Sequence, residues 1–266
     1  TEHYVEIDLG QIDATAGVDI IAQGWIRPTD TSINVASSQG SSPAPKALRV
    51  SVPDGKGGWK IVLPNGGFPA GKLKTIILEV PSGSFVENDY RVRISTNLEI
   101  FWDKISFSTK SKTKVNEIPI KLLSADLGYM GYPIMSRRDE HSANIPDYNN
   151  IHHGNVCRDL DGYYTMYGAV EDLLSGVDDR YVIMNAGDAM HLRFDALDPP
   201  LSGLERDYIF FSDGWVKDGD WNTVASRTVG PLPYHAMQGY PYPLEERPEE
   251  LLPTHPDWQE YHTRYI

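Results

Sequence analysis

The chain has a single cysteine, Cys157. No disulfide can close within it, and no CxxC or CxxCH pair exists for zinc, redox chemistry or c-type haem. Cys157 reads as a small buried apolar residue rather than a nucleophile. Basic charge is also scarce, with 24 lysines and arginines against 37 acids and a net charge of −13. No run of Lys and Arg stands out, so the electrostatic footprint of a nucleic-acid binder is missing. An anionic membrane surface is disfavoured for the same reason. No apolar run reaches the roughly 18 residues of a membrane-spanning helix. The GxSxG elbow, the P-loop and a GxGxxG after a strand are all lacking. No carboxylate pair singles itself out for glycoside hydrolysis. These gaps point to a protein that is not an enzyme and needs no cofactor. No signal peptide is visible, yet the chain opens at Thr1 without an initiator Met. It reads as a processed protein or as part of a longer one.

What is present is β-pattern. Period-2 alternation runs through "HYVEIDL" (3–9), "DIIAQGWI" (19–26), "ALRVSV" (47–52), "WKIVL" (59–63), "KLKTIILEV" (72–80), "YRVRIST" (90–96) and "LEIFWDKISFS" (98–108). The turn "PDGKGG" (53–58) makes 47–63 a hairpin. The 23 glycines and 19 prolines supply turns between short strands. This arithmetic predicts an antiparallel sandwich over residues 1–110. The polar stretch "STKSKTKVNE" (108–117) is the candidate boundary. The second unit, 111–266, opens with the strand "IPIKLLSADL" (118–127) and then loses periodicity between 128 and 163. A connection that long without regular structure is usually functional. "YGAVEDLLSGVDD" (167–179) carries the best helical pattern. Strands resume at "RYVIM", "AMHLRFDAL" and "RDYIFFSDGWV". The tail, 230–266, is rich in Pro, Tyr and Trp and reads as an extended arm packed on this chain or a neighbour, with a short helix near Pro256–Tyr261.

One piece occurs twice. "IIAQGWIRPTDTSINVAS" (20–37) parallels "YIFFSDGWVKDGDWNTVAS" (208–226). Gly24 matches Gly214, Trp25 matches Trp215, Arg27 matches Lys217 and Asp30 matches Asp220. The reading is one β-unit duplicated, with Gly allowing a bulge or close approach, Trp plugging the sandwich end, and the base and Asp bracing the turn. The fold expected is therefore all-β: two related antiparallel β-sandwich, jelly-roll-like units with an irregular insertion (128–163) and an extended C-terminal arm (230–266).

Candidate sites follow from residue types. Asp218, Asp220 and Asn222 place oxygens at alternate positions, which suits a hard cation such as Ca²⁺. His152 and His153 lie near His141, Asp147 and Asp159, donors of the kind that bind Zn²⁺ or Fe²⁺, but without an HxxxH or HxD spacing. The aromatics Tyr163, Tyr164, Trp221, Tyr234, Tyr240, Tyr242 and Trp258 are candidate contacts for a partner, and Trp59 is a further aromatic that could stack on sugar.

Two resemblances attach to these motifs. The order "VSVPDG", Trp59, Gly-rich turn, "YRVRI" and "IFWDKISF" resembles discoidin-type (coagulation factor 5/8 C-type) jelly rolls over Ala47–Ser108. "YYTMYGAVEDLL", "DDRYVIMNAGDAMHLRFDA", "RDYIFFSDGWVKDGDWNT" and "TVGPLPYHAMQGYPY" resemble a C-terminal region of large bacterial secreted or periplasmic proteins. Those proteins carry FG-GAP (integrin-like propeller) repeats beside TPR or ASPIC/UnbV-type segments. "GWIRPTDTSINVA", "VPDGKGGWK", "GFPAGKLKTI" and "RVRISTNLEIFWDKI" fit the same region. The resemblance implies a periplasmic or extracellular place and a role in binding or assembly, and it brings no catalytic residues. The expected function is an extracytoplasmic accessory module whose partners are other protein subunits. A carbohydrate-binding module is the alternative, and a Ca²⁺-dependent hydrolase a second one.

Overall fold

A computed structural model describes residues 1–27, 29–71, 73–109, 117–139, 142, 144–154, 156–217 and 219–266. The fold is all-β, with fourteen strands and two short α-helices among those residues. The chain divides into two compact units, Thr1–Asn116 with Ser136–Ile145, and Glu117–Met135 with Pro146–Ile266.

In the first unit the alternating segments become β1 (His3–Asp8), β2 (Val18–Ile26), β3 (Arg49–Pro53), β4 (Trp59–Leu63), β5 (Lys74–Val80), β6 (Arg91–Thr96) and β7 (Ile100–Thr109). They pair antiparallel into two sheets, ordered β1-β6-β3-β4 and β5-β2-β7. Only β3 and β4 are joined within a sheet; each other connection passes from one sheet to the other. One face of each sheet feeds a shared core. Val18 and Ile20 of β2 and Leu78 and Val80 of β5 meet Val50 and Val52 of β3 and Val92 and Ile94 of β6. Period-2 geometry puts such residues on one side of their strands. Each buried aliphatic side chain contributes about 1.5–3 kcal/mol.

Two local features explain why these strands end and bend where they do. In the β3–β4 turn the Asp54 carboxylate accepts the backbone N–H of Lys56 and of Gly58, each at 2.8 Å. Those two amides hold its carboxyl below the usual carboxylate range. Between Gln23 and Gly24 the β2–β7 register shifts by a bulge. A Cβ on Gly24 would stand 2.5 Å from the Phe101 carbonyl oxygen, so only glycine fits. Asp30 then caps a helix the pattern did not announce, α1 (Thr31–Gln39), by accepting the Ile33 N–H at 2.7 Å. No residue of α1 is buried.

The second unit is built from shorter pieces: β8 (Leu122–Tyr129), β9 (Tyr132–Ser136), β10 (Ile145–His152), β11 (Tyr163–Tyr164), β12 (Gly168–Ala169), β13 (Asp188–Phe194) and β14 (Arg264–Tyr265). They form sheets β12-β8-β13, β9-β10 and β11-β14. Three apolar clusters are centred on Ala125, Leu127 and Val170, on Tyr164, Ile183 and Val229, and on Tyr234, Tyr242 and Leu251.

Several expectations change here. The stretch read as irregular, 128–163, contains β9 and β10. Its exposed polar strand "IPDYNNIH" has no alternation to read because neither face enters a core. The helix expected over 167–179 shrinks to a 3₁₀ turn at Glu171–Leu174. Gly168, at φ 117°, pairs with Leu127 instead, and Val170 donates to the Ala125 carbonyl. A run this short cannot nucleate a helix against such tertiary bonds. Neither "RYVIM" (180–184) nor "RDYIFFSDGWV" (206–216) forms a strand.

The arm folds back on its own unit. Tyr234, Tyr242 and Leu251 are buried together. The helix α2 (Pro256–Tyr261) forms with proline in its first turn. β14 then pairs with β11, and Gly162 and Ile266 exchange backbone hydrogen bonds at 3.0 and 3.1 Å. Beneath this closure Arg264 hydrogen-bonds the Thr165 carbonyl and pairs with Asp188, whose side chain is 1% exposed. Asp188 also accepts from the Tyr167 hydroxyl. Thr165 bonds the Ile183 N–H and the Nδ1 of buried His262.

Candidate docking surface

Glu205–Lys217 is the segment whose composition and structure disagree most. Tyr208, Ile209, Phe210 and Phe211 are strand formers that want a half-buried pleat. Yet Ile209 is 78%, Phe211 88% and Val216 96% exposed. Among the described residues, no backbone N–H or C=O from Glu205 to Lys217 takes part in a backbone–backbone hydrogen bond. Tyr208, Phe210 and Phe211 alone leave on the order of 400 Å² of ring surface in water. That is about the size of the largest apolar patch on a typical monomer, here gathered in one short segment.

The segment is held by side chains at both ends and by one ring contact, at Phe210, between them. At its start, the Arg206 guanidinium donates to the carbonyls of Leu197 and Asp198. The Phe210 ring meets Phe194, the last residue of β13, edge-on at 6.2 Å. At its end, Asp213 accepts from His235 Nε2 at 3.3 Å, and Trp215 packs edge-on against the same imidazole at 6.0 Å. Lys217 Nζ donates to the Tyr240 hydroxyl at 2.9 Å, and burial lowers its pKa. His235 is the hinge of this anchorage. Its Nδ1 and its backbone N–H both bond Asp179 Oδ1, at 2.9 and 3.0 Å. The two carboxylates, Asp179 first and then Asp213, raise the imidazole above its ordinary value. Burial works against ionisation of Asp179, but the bonds from His235 and Tyr181 hold it below the usual carboxylate range.

The residues singled out from sequence scatter. Trp25 lies on β2 and stacks on Phe101 at 5.7 Å and 19°. Trp215 lies outside any strand, against His235. A Cβ on Gly214 would meet nothing within 4 Å, unlike one on Gly24. Asp30 caps a helix, whereas Asp220 closes a turn by accepting the Asn222 N–H at 2.8 Å. At this segment the shared letters do not share surroundings, because the first copy is paired on both sides and the second on neither.

The Asp218, Asp220 and Asn222 loop is only partly visible. Asp218 lies outside the described residues, as does His141. Asp220 Oδ1 also accepts from Asn222 Nδ2 at 3.3 Å. Among the described residues no group of three His, Cys, Asp or Glu side chains is placed to hold a metal ion. His153 packs on Tyr129, and Asp159 accepts from Asn185.

The aromatic candidates divide by burial. Tyr164, Tyr234 and Tyr242 are interior and cannot reach a partner. Tyr240 donates to the Pro231 carbonyl, and Trp258 packs on His262 and the cluster of Tyr164. Tyr163 and Trp221 are exposed, Tyr163 edge-on to Tyr265 and Trp221 beside Arg158 and Arg227. Trp59 carries the Arg93 guanidinium at 3.9 Å from its ring, and Arg93 also lies over Tyr4. Cys157 is exposed, not buried as its residue type suggested.

A cavity of about 470 Å³ in the first unit is lined by Trp25, Phe101, Trp102, Asp103, Arg138 and Asp139. Arg264 and Asp188, His235 and Asp179, and Thr165 and His262 were invisible in the sequence. No local pattern marks partners that far apart along the chain.

Comparison with protein families, with curated proteins and with solved structures finds no match to this chain.

Proposed function

We propose that the chain is a non-catalytic binding module, an assembly subunit that docks protein through Glu205–Lys217. The observation that carries this reading is a strand-like apolar run left exposed, with its backbone groups unpaired, yet pinned at both ends. An occupant that satisfies it must supply both apolar cover and backbone hydrogen bonds, which is what a β-strand offers. A lipid surface offers only the first, and a net charge of −13 opposes approach to anionic lipid.

The docking role thus moves from the arm tyrosines to the segment before them. The arm's part is to hold that segment, through His235 and Tyr240. The histidines support a non-catalytic reading: both nitrogens of His235 are engaged by carboxylates, and His262 is enclosed with Thr165. We further propose an extracytoplasmic place at the bacterial surface or periplasm, on the resemblance described above.

Hydrogen exchange tests the docking. In the dilute isolated chain, amides of Asp207–Ser212 exchange at unprotected rates. In the particle isolated from the native cell they are protected, and Phe211→Asp abolishes that protection while leaving the melting temperature unchanged. Protection that appears elsewhere and never at 207–212 sinks the reading.

A further inference from the structure

We propose that His235 is a protonation switch on the docking run: the charged ring pins the run's second end through Asp213, and the neutral ring releases it. The inference rests on the docking reading above and names its regulation.

The count of donors leads to it. An ionised carboxylate accepts hydrogen bonds and donates none, and a neutral imidazole has one N–H. Yet both ring nitrogens of His235 face carboxylates, Nδ1 at 2.9 Å from Asp179 and Nε2 at 3.3 Å from Asp213. Only the imidazolium, with a proton on each nitrogen, satisfies both. Once the ring loses a proton, one carboxylate must face a lone pair. Asp179 keeps its bond, because it also accepts the His235 backbone N–H at 3.0 Å and has the Tyr181 hydroxyl 3.1 Å away. Asp213 has the longer bond and a side chain 45% exposed, so water replaces the ring at little cost. The neutral ring therefore holds its proton on Nδ1, turns a lone pair to Asp213 and lets it go.

The surroundings of the ring leave the switch to these two acids. Asp179 first, then Asp213, raise the imidazole above its ordinary value of 6.5, so release falls on the neutral-to-alkaline side. Trp215 meets the ring with an uncharged indole. Tyr181, behind Asp179, is itself pushed up by burial and by Asp179, and stays protonated while the imidazole titrates. The cation at this end is Lys217, which holds Tyr240 rather than the imidazole. Among the described residues no backbone–backbone bond takes over when Asp213 is released. A run held at both ends loses less freedom when a strand adds to it, so docking is tighter while the ring is charged.

Carbon-13 NMR of the full isolated chain is the first test. The His235 ring resonances give its protonation midpoint, and relaxation of the Gly214 α-carbon gives backbone order without reference to amide exchange. Gly214 is expected to be ordered while the ring is charged and to lose order with the same midpoint. In Asp213→Asn the amide donates to a neutral Nε2 or accepts from a protonated one, so the order of Gly214 stays level across the titration. Near-ultraviolet circular dichroism establishes that the variant is folded. Order that holds in the wild type while His235 titrates overturns the inference. So does a loss of order that Asp213→Asn fails to remove, which would belong to Lys217. The native particle is the second test. Hydrogen-exchange protection at 207–212 is expected to drop about twofold to fivefold across the His235 midpoint, the worth of a half-exposed ion pair. Protection that is the same on both sides of the midpoint overturns the switch and leaves the docking reading standing. A Gly214 that follows the ring, with 207–212 unprotected in the particle at every pH, retains the switch and removes the docking reading.

Discussion

Two histidines of the second unit respond to pH with opposite signs, and each sign follows from what surrounds the ring. His262 is buried beside Thr165 and the Trp258 ring, and burial pushes its pKa from 6.5 down to about 4, with Asp257 opposing. Between those values the unfolded chain binds a proton that the folded chain refuses. Stability therefore falls as pH drops from about 6.5 to about 4, by at most about 3 kcal/mol, and then levels off. His235 behaves the other way. Its pKa is raised by Asp179 and Asp213, so the stability it lends is complete below 6.5 and is lost as pH climbs through the raised folded value. Melting temperature against pH reads both. His262→Gln flattens the acid limb, and His235→Gln removes the loss on the neutral side. A His262→Gln chain with an unchanged acid limb contradicts this account.

At the scale of an element, the two Gly-Trp segments show how far a pattern can be trusted. β2 was legible because it alternates, and its buried residues Val18, Ile20, Ala22 and Gly24 keep that alternation across the bulge. The bulge asks for glycine because the Phe101 carbonyl stands where a Cβ would go. Gly24→Ala is expected to destabilise the first unit by roughly 1–3 kcal/mol. Gly214→Ala, with open space around it, stays within about 0.5 kcal/mol. Urea unfolding of both variants decides the matter; equal losses would mean that the two segments are equivalent scaffolds after all. Residues 167–179 failed as a helix for a related reason. Leu127, Asp126 and the Ala125 carbonyl of β8 claim the backbone of Gly168, Ala169 and Val170 before a helical turn can.

For the whole molecule, the separate cores of the two units set an expectation about cooperativity. Among the described residues, the first unit has one cluster between two sheets, and the second has three small clusters tied by the Arg264–Asp188 pair and the β11–β14 closure. Arg264→Ala leaves a buried carboxylate without its cation, which costs about 3–5 kcal/mol. Scanning calorimetry is expected to show that this variant lowers the transition of the second unit and leaves that of the first in place; a uniform shift of all unfolding refutes independent cores. Alternation and turn residues were enough to read an all-β chain and the positions of β1 to β7, because backbone pleat and side-chain burial are local. Proline at 256 likewise announced α2. The return of the arm, the burial of Tyr164, Tyr234 and Tyr242, and the Thr165–His262 bond across 97 positions became visible in three dimensions alone. The run "YIFFSDGWV" states in its residues that it needs cover, since apolar side chains and a strand-prone backbone are written there. Who provides that cover is a matter of what lies alongside in space, and within this fold nothing among the described residues pairs with its backbone.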